Sequence, residues 1–523
     1  MARSGTDTAR LLRDAGAVLQ AGFDGTAAPE WLRRRIAAGE LGGIALFSRN
    51  VRDIEQLAAL TALLRQDEPQ LLVAIDEEGG DVTRLEVAHG SSYPGNAALG
   101  SADDPRLTEQ VAFAIGRDLA AAGVNLNYAP VADVNANAAN PVIGVRSFGS
   151  GSALVVRHTA AYVRGLQAAG VAACAKHFPG HGDAGEDSHL GLPLADFDDA
   201  KFALHLAPFR AAVAAGTKTI MTAHILFPRY DPDLPATMSH AVLTGLLRGE
   251  LGYDGLIITD GIDMGSISAY YGIAEGTVKA IAAGADAICF GGGLADENAF
   301  LHLRNALVWA VRERRLSEER LHEAAERNRA VAGWSAEVRA GGAGASEADR
   351  GVGLEAARRA VRVRGELKPL SAPVYVAEFS PLVSIAVDTS TQWGLIRPVS
   401  ELLPGTNGTR VMPPISGTES VGLMTVPVVD HDARVDTAPI LAESAGRALV
   451  LAVRDLHLNR WMARAVDAIV AERPDAVVVE FGLPYGRTDE LVDRGVTVVA
   501  TYGAAWVCGI AAAEALTGRR MDG

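Results

Sequence analysis

The sequence predicts an α/β chain in two parts: an N-terminal (β/α)8 TIM-like barrel over residues 1–338, and a smaller open-sheet α/β domain over residues 350–523. Three observations lead there. Short β-rich apolar runs alternate with helix-length Ala/Leu/Arg segments. Eight such runs fall before residue 330. A Gly/Ala/Ser stretch then interrupts the series, and a second α/β series follows. Runs that are apolar almost throughout, rather than at every second residue, belong to parallel strands covered on both faces. Eight β/α units in succession is the number that closes a barrel.

The eight runs are GAVLQAGF (16–23), GIALFS (43–48), LLVAID (71–76), VNLNYAP (124–130), VAACAKH (171–177), TKTIMTAH (217–224), GLIITD (255–260) and ADAICF (285–290). The break is RAGGAGASEAD (339–349), whose composition is that of a linker. Beyond it, PVYVAEF (373–379), RALVLAVRD (447–455), DAVVVEFG (475–482) and VTVVAT (496–501) read as strands of the second domain. Residues 380–440 are rich in Pro, Gly, Thr and Ser and read as irregular.

One stretch, GVTVVATYGAAWVCGIAAA (495–513), holds nineteen residues without a charge and approaches the length of a membrane span. Its Val/Thr-rich start, Gly503 and Ala-rich end read instead as strand, turn and helix. The start of the chain, MARSGTDTARLLRDAG, lacks the apolar stretch of a signal peptide, so a cytoplasmic location is expected. Cys174, Cys289 and Cys508 each lie in apolar runs, which favours buried thiols over disulfides or a metal site. Net charge is −15 with no Lys/Arg-rich run, which argues against nucleic acid as a partner.

Active sites of such barrels lie at the C-terminal ends of the strands. Here those ends are polar. The third run ends at Asp76 and leads past two glycines to Arg84. The fourth leads toward Arg146. The fifth ends in Lys176 and His177, the sixth in His224, the seventh in Asp260. Converging donors and a few carboxylates suit a polyhydroxylated ligand such as a sugar. On spacing alone, Asp260 reads equally as a strand-tip nucleophile or as an N-cap for the next helix. After the fifth run comes KHFPGHGDAGEDSHLGLP (176–193). Pro179 and Gly180 between His177 and His181 preclude a helical metal pair, and no cofactor or metal is expected. Gly180, Gly182 and Gly185 suggest a flexible loop over the mouth. Asp187 and His189 flank Ser188, close enough for the carboxylate to favour an imidazolium and so a general acid, although a solvated polar loop has the same composition.

That loop resembles the KH-F-x-GHGD-x-x-x-DSH motif of β-N-acetylglucosaminidases of glycoside hydrolase family 3. IDEEGGDVTRL (75–85), LNYAPVADVN (126–135), VIGVRSFG (142–149) and GLIITDGIDMGSI (255–267) resemble further blocks of that family, in the same order. The resemblance implies Asp260 as the nucleophile, His189 as general acid/base with Asp187 as its partner, and Asp76, Arg84, Arg146, Lys176 and His177 as residues that hold the sugar. It implies removal of a terminal β-linked GlcNAc with retention, from peptidoglycan fragments or chitooligosaccharides. Phosphate in place of water as acceptor, a β-glucosidase, and a silent sugar-binding protein are the competing readings. Asp81 departs from the family pattern, in which Arg is frequent; its charge either alters substrate contacts or faces solvent. Ala184 and Val145 are further departures. Nothing in 350–523 resembles a second catalytic centre, so that domain is expected to brace the barrel.

Overall fold

The structure, a computed structural model, describes residues 5–341, 351–421 and 424–521. Its first sheet is a ring of eight strands. In chain order they are β1 (Leu19–Ala21), β2 (Gly43–Leu46), β3 (Leu72–Ile75), β4 (Leu126–Asn127), β5 (Ala172–Phe178), β6 (Thr219–Thr222), β9 (Leu256–Thr259) and β10 (Ile288–Phe290). A small antiparallel hairpin, β7 (Leu226–Phe227) with β8 (Asp231–Pro235), is inserted after β6. Neighbouring ring strands are parallel throughout; β10 returns to pair with β1, and the bridge Ile258↔Ala287 joins it to β9. Each of the eight predicted runs coincides with one ring strand, β5 extending one residue past its run to Phe178.

Both faces of these strands are buried. Leu72 and Ala74 of β3, and Leu256 and Ile258 of β9, point into the ring beside Tyr128, Cys174 and Met221. Val73, Ile75 and Ile257 join the layer beneath the outer helices. That two-sided burial is why most of the runs lack polar alternation; the one around β4, with Asn125 and Asn127, is the exception.

The second sheet runs in the order β11 (Arg362–Arg364), β18 (Val498–Ala500), β17 (Val477–Glu480), β16 (Leu449–Val453), β12 (Tyr375–Phe379), β13 (Asn407–Val411). All pairs are parallel except β11 with β18. Part of the expectation for residues 380–440 needs correction. The segment supplies β13 and a separate hairpin, β14 (Ile415–Val421) with β15 (Met424–Val429). β13 lies at a sheet edge with exposed residues alternating along it, so no apolar run announces it.

Stretch 495–513 forms β18 and then the helix Trp506–Thr517, and no helix among the described residues is long and apolar enough to cross a membrane. The three cysteines are buried free thiols. The last barrel helix, Glu318–Ala340, continues two residues into the expected linker; residues 342–350 lie outside those described.

Candidate active site

The loop after β3 is shaped by two adjacent glutamates. Glu77 turns away from the mouth and gathers the loop around itself: its Oε2 accepts from the amides of Arg84 (2.7 Å) and Leu85 (3.0 Å) and from the Thr83 hydroxyl (3.1 Å). Burial pushes its carboxyl up to about 7. Glu78 faces the mouth. Its carboxylate receives Arg146 through two bonds, 2.7 and 3.0 Å, and Lys176 Nζ at 2.7 Å. Burial alone would raise Glu78, but the two cations outweigh it and hold the group far below the usual carboxylate range. Lys176 also bonds Asp76 at 2.6 Å. Asp76, Glu78, Arg146 and Lys176 therefore form one charge network, with each cation kept protonated by its carboxylates.

Asp133 organises the end of β5 and the residues after it. Its Oδ2 lies 2.7 Å from His177 Nδ1, and its Oδ1 accepts the His181 amide at 2.6 Å. His181 in turn reaches Ser188 Oγ (3.0 Å), and burial lowers its imidazole to about 4. The base of the segment, residues 176–182, is thus packed down, while its tip at Gly185 and Glu186 is exposed. A side chain at Gly182 would collide with the carbonyl oxygen of Val134, and Gly180, at φ +137°, faces the His205 side chain. These two glycines serve close approach; only Gly185 of the three faces open space.

The packed segment delivers His189. Its Nδ1 lies 2.6 Å from Asp187 Oδ1, which also accepts the His189 amide at 2.9 Å. Burial disfavours the imidazolium, yet the hydrogen bond and charge of Asp187 outweigh it and raise His189 above its ordinary 6.5. Asp260 stands one residue past β9. Burial would raise it, but the imidazoles of His177, His224 and His189 hold it down at about 2. It does not cap the next helix: its Oδ1 accepts only the adjacent Gly261 amide, and Gly265–Ser268 begins with no side-chain cap.

Asp76, Arg84, Arg146, Lys176, His177, His189 and Asp260 line one cavity of about 260 Å3 at the barrel mouth. Asp187 stands behind His189, as its hydrogen bond requires. His224 lies beneath, tied to Thr237 Oγ1 at 2.7 Å and the Gly261 carbonyl at 3.0 Å. Glu78, Asp133 and Asp263 are the residues that sequence reasoning did not single out. Asp263 lines the same cavity and accepts the Gly293 amide at 2.7 Å. The second domain also enters the site. Ile385 and Ala386 line the cavity, and Arg84 donates to the Ala386 carbonyl at 2.8 Å. Bracing is therefore only part of that domain's place in the molecule.

A closed parallel barrel with charged groups gathered at its strand ends, joined to an α/β domain that reaches into the mouth, is the architecture of a class of glycoside hydrolase. Residues 17–331 match the family model for the glycosyl hydrolase family 3 N terminal domain, and the chain belongs to that family. It is 39% identical to the beta-hexosaminidase A of Pseudoalteromonas piscicida over 283 residues, which is 50% of this chain and 47% of that protein. It spans about half the length of that relative. The beta-hexosaminidase of Thioalkalivibrio sulfidiphilus is 38% identical over 279 residues, covering 51% of this chain and 78% of that one. Among solved structures, a family 3 beta-N-acetylglucosaminidase from a Paenibacillus species superposes over 98% of this chain and 97% of its own, with TM-score 0.84 and 34% identity.

Proposed function

We propose that the protein is a retaining exo-β-N-acetylglucosaminidase. The observation that carries this reading is the pairing, on one cavity, of Asp260 held ionised with His189 held protonated by Asp187. A double displacement needs a nucleophile that stays ionised and a proton donor beside the leaving oxygen. Asp260 attacks the anomeric carbon while His189 protonates the glycosidic oxygen, and the aglycone leaves. His189, now neutral, takes a proton from water, which attacks the glycosyl ester and releases the sugar with Asp260 restored. Asp76 accepts from sugar hydroxyls, and Arg84, Arg146, Lys176 and His177 donate to hydroxyls or the acetamido carbonyl. A cavity of about 260 Å3 is at the small end for ligand sites and suits one terminal ring, hence exo action. The names of the relatives support GlcNAc as that ring, and fragments of peptidoglycan or chitin are its proposed sources.

The test is p-nitrophenol release from the β-GlcNAc glycoside beside the β-glucoside, each with and without phosphate. GlcNAc-selective release that is indifferent to phosphate is the expected result. Phosphate-dependent release with α-GlcNAc-1-phosphate as product would replace hydrolysis by phosphorolysis. Glucoside preference would overturn the substrate.

A further inference from the structure

We infer that Arg454, on the second domain, positions the sugar-holding loop of the barrel through Asp81. The inference rests on the site proposed above and adds a positioning residue that lies outside the sugar cavity.

Asp81 lies between two residues of the cavity wall, Glu78 and Arg84. Its side chain is 2% exposed, and that of its partner Arg454 is 7% exposed, with Nη2 and Oδ2 2.5 Å apart. Its other oxygen accepts the Ala504 amide at 2.8 Å. Arg454 follows β16 and Ala504 follows the strand at Val498–Ala500, so two strand ends of one sheet converge on one barrel carboxylate. Asp81 is therefore buried, contrary to the expectation that it faces solvent; it does not line the sugar cavity, but with Arg454 it borders an adjoining cleft that shares Arg146. The indole of Trp393 backs the Arg454 guanidinium, 6.0 Å from its centroid.

The loop has little freedom between these anchors. Gly79 and Gly80 adopt φ of +75° and +65°, and a side chain at Gly80 would meet the Gly95 backbone at 2.7 Å. A displaced Asp81 therefore moves Glu78, which holds Arg146 and Lys176. At the other end, Arg84 is fixed to the Ala386 carbonyl of the same second domain. Asp81 is faced by Arg454, by the carboxylates of Asp455 and Glu78, and by the thiol of Cys508. Burial and the two carboxylates favour its protonated form, and Arg454 opposes them. Removing Arg454 leaves a buried carboxylate with no counter-ion, which takes up a proton as the pH falls.

The experiment is steady-state kinetics of the full chain on p-nitrophenyl β-GlcNAc, comparing wild type with Arg454→Met, Asp81→Asn and the double variant at pH 5 and pH 8. Arg454→Met is expected to raise KM about tenfold and lower kcat/KM about thirtyfold at pH 8. The deficit should shrink at least about fivefold at pH 5. The double variant, which leaves no unpaired charge at positions 81 and 454, should recover to within about threefold of wild type at both pH values. A brace would give lower melting temperature without this pattern. Arg454→Met within twofold of wild type, or a double variant no better than Arg454→Met, overturns the inference. If Arg454→Met does not fold, Arg454→Lys keeps the charge without the planar fork, and an unchanged KM there overturns it equally. A silent wild type would instead overturn the proposed activity. Calorimetric GlcNAc binding then replaces KM, with the same tenfold weakening expected and an unchanged affinity overturning the inference.

Discussion

Asp187→Ala isolates the chemistry of the proton donor. The change removes the carboxylate that lies 2.6 Å from His189 Nδ1, between side chains that are 10% and 18% exposed. Charge-assisted hydrogen bonds of this kind contribute about 1.5–3 kcal/mol, which converts to a rate factor of about 10 to 150. Without Asp187, burial acts on the imidazole with only the charge of Asp260 to favour the imidazolium, and His189 loses its proton at lower pH. The assay is kcat/KM against pH for two substrates: a GlcNAc disaccharide with a poor leaving group and the p-nitrophenyl glycoside with a good one. The basic limb should move to lower pH for both. The rate below that limb should fall by the stated factor for the disaccharide and far less for the aryl glycoside, which needs little protonation. Asp187→Asn keeps an acceptor for the His189 amide but removes the charge, and should shift the limb in the same direction. An unmoved limb, or equal losses on both substrates, would refute the assignment of His189 as an acid tuned by Asp187.

Asp260→Asn should cut turnover by at least about 10^4 while GlcNAc affinity measured by calorimetry stays within a few-fold, and retained turnover would remove Asp260 from the nucleophile role. Glu77 keeps its proton in the folded chain to about pH 7, whereas its unperturbed value is 4.5. The folded form thus holds the extra proton between those values, and stability should fall by up to about 3 kcal/mol as pH rises through that window. Glu77→Gln should flatten the slope in denaturant titrations at pH 5 and pH 8. Gly182→Ala should lower stability by about 1–3 kcal/mol or more, because the new methyl meets the Val134 carbonyl; thermal melting within error of wild type would contradict the packed loop.

The barrel was legible because its ring strands are buried on both faces, so nearly every one left a compact apolar run; the exception is β4, whose stretch Val124–Tyr128 alternates with Asn125 and Asn127. Most of the cavity wall was legible for a related reason: the polar residues that end those runs sit at the positions a barrel turns toward its mouth. What escaped was non-local. Asp81 and Arg454 are 373 residues apart, and Arg84 and Ala386 are 302 apart. No local pattern encodes such pairs. Glu78 was hidden by its neighbour, since two adjacent glutamates give no sign of which turns inward. Asp133 was hidden because it acts on histidines at and beyond the end of the next strand rather than on anything beside it. The edge strand β13 carries exposed residues along it and so looks like loop.

The close fit of Gly180 and Gly182 bears on how such a site could change over time. A loop whose glycines are matched to fixed neighbours has its shape before any sugar arrives, so recognition of the ring costs little ordering and its binding energy remains for the transition state. The same fit restricts drift. Positions 180 and 182 admit hydrogen alone without movement of His205 or Val134, whereas Gly185 faces open space. New side chains, and with them new contacts to the leaving group, can enter this loop at its tip but not at its base.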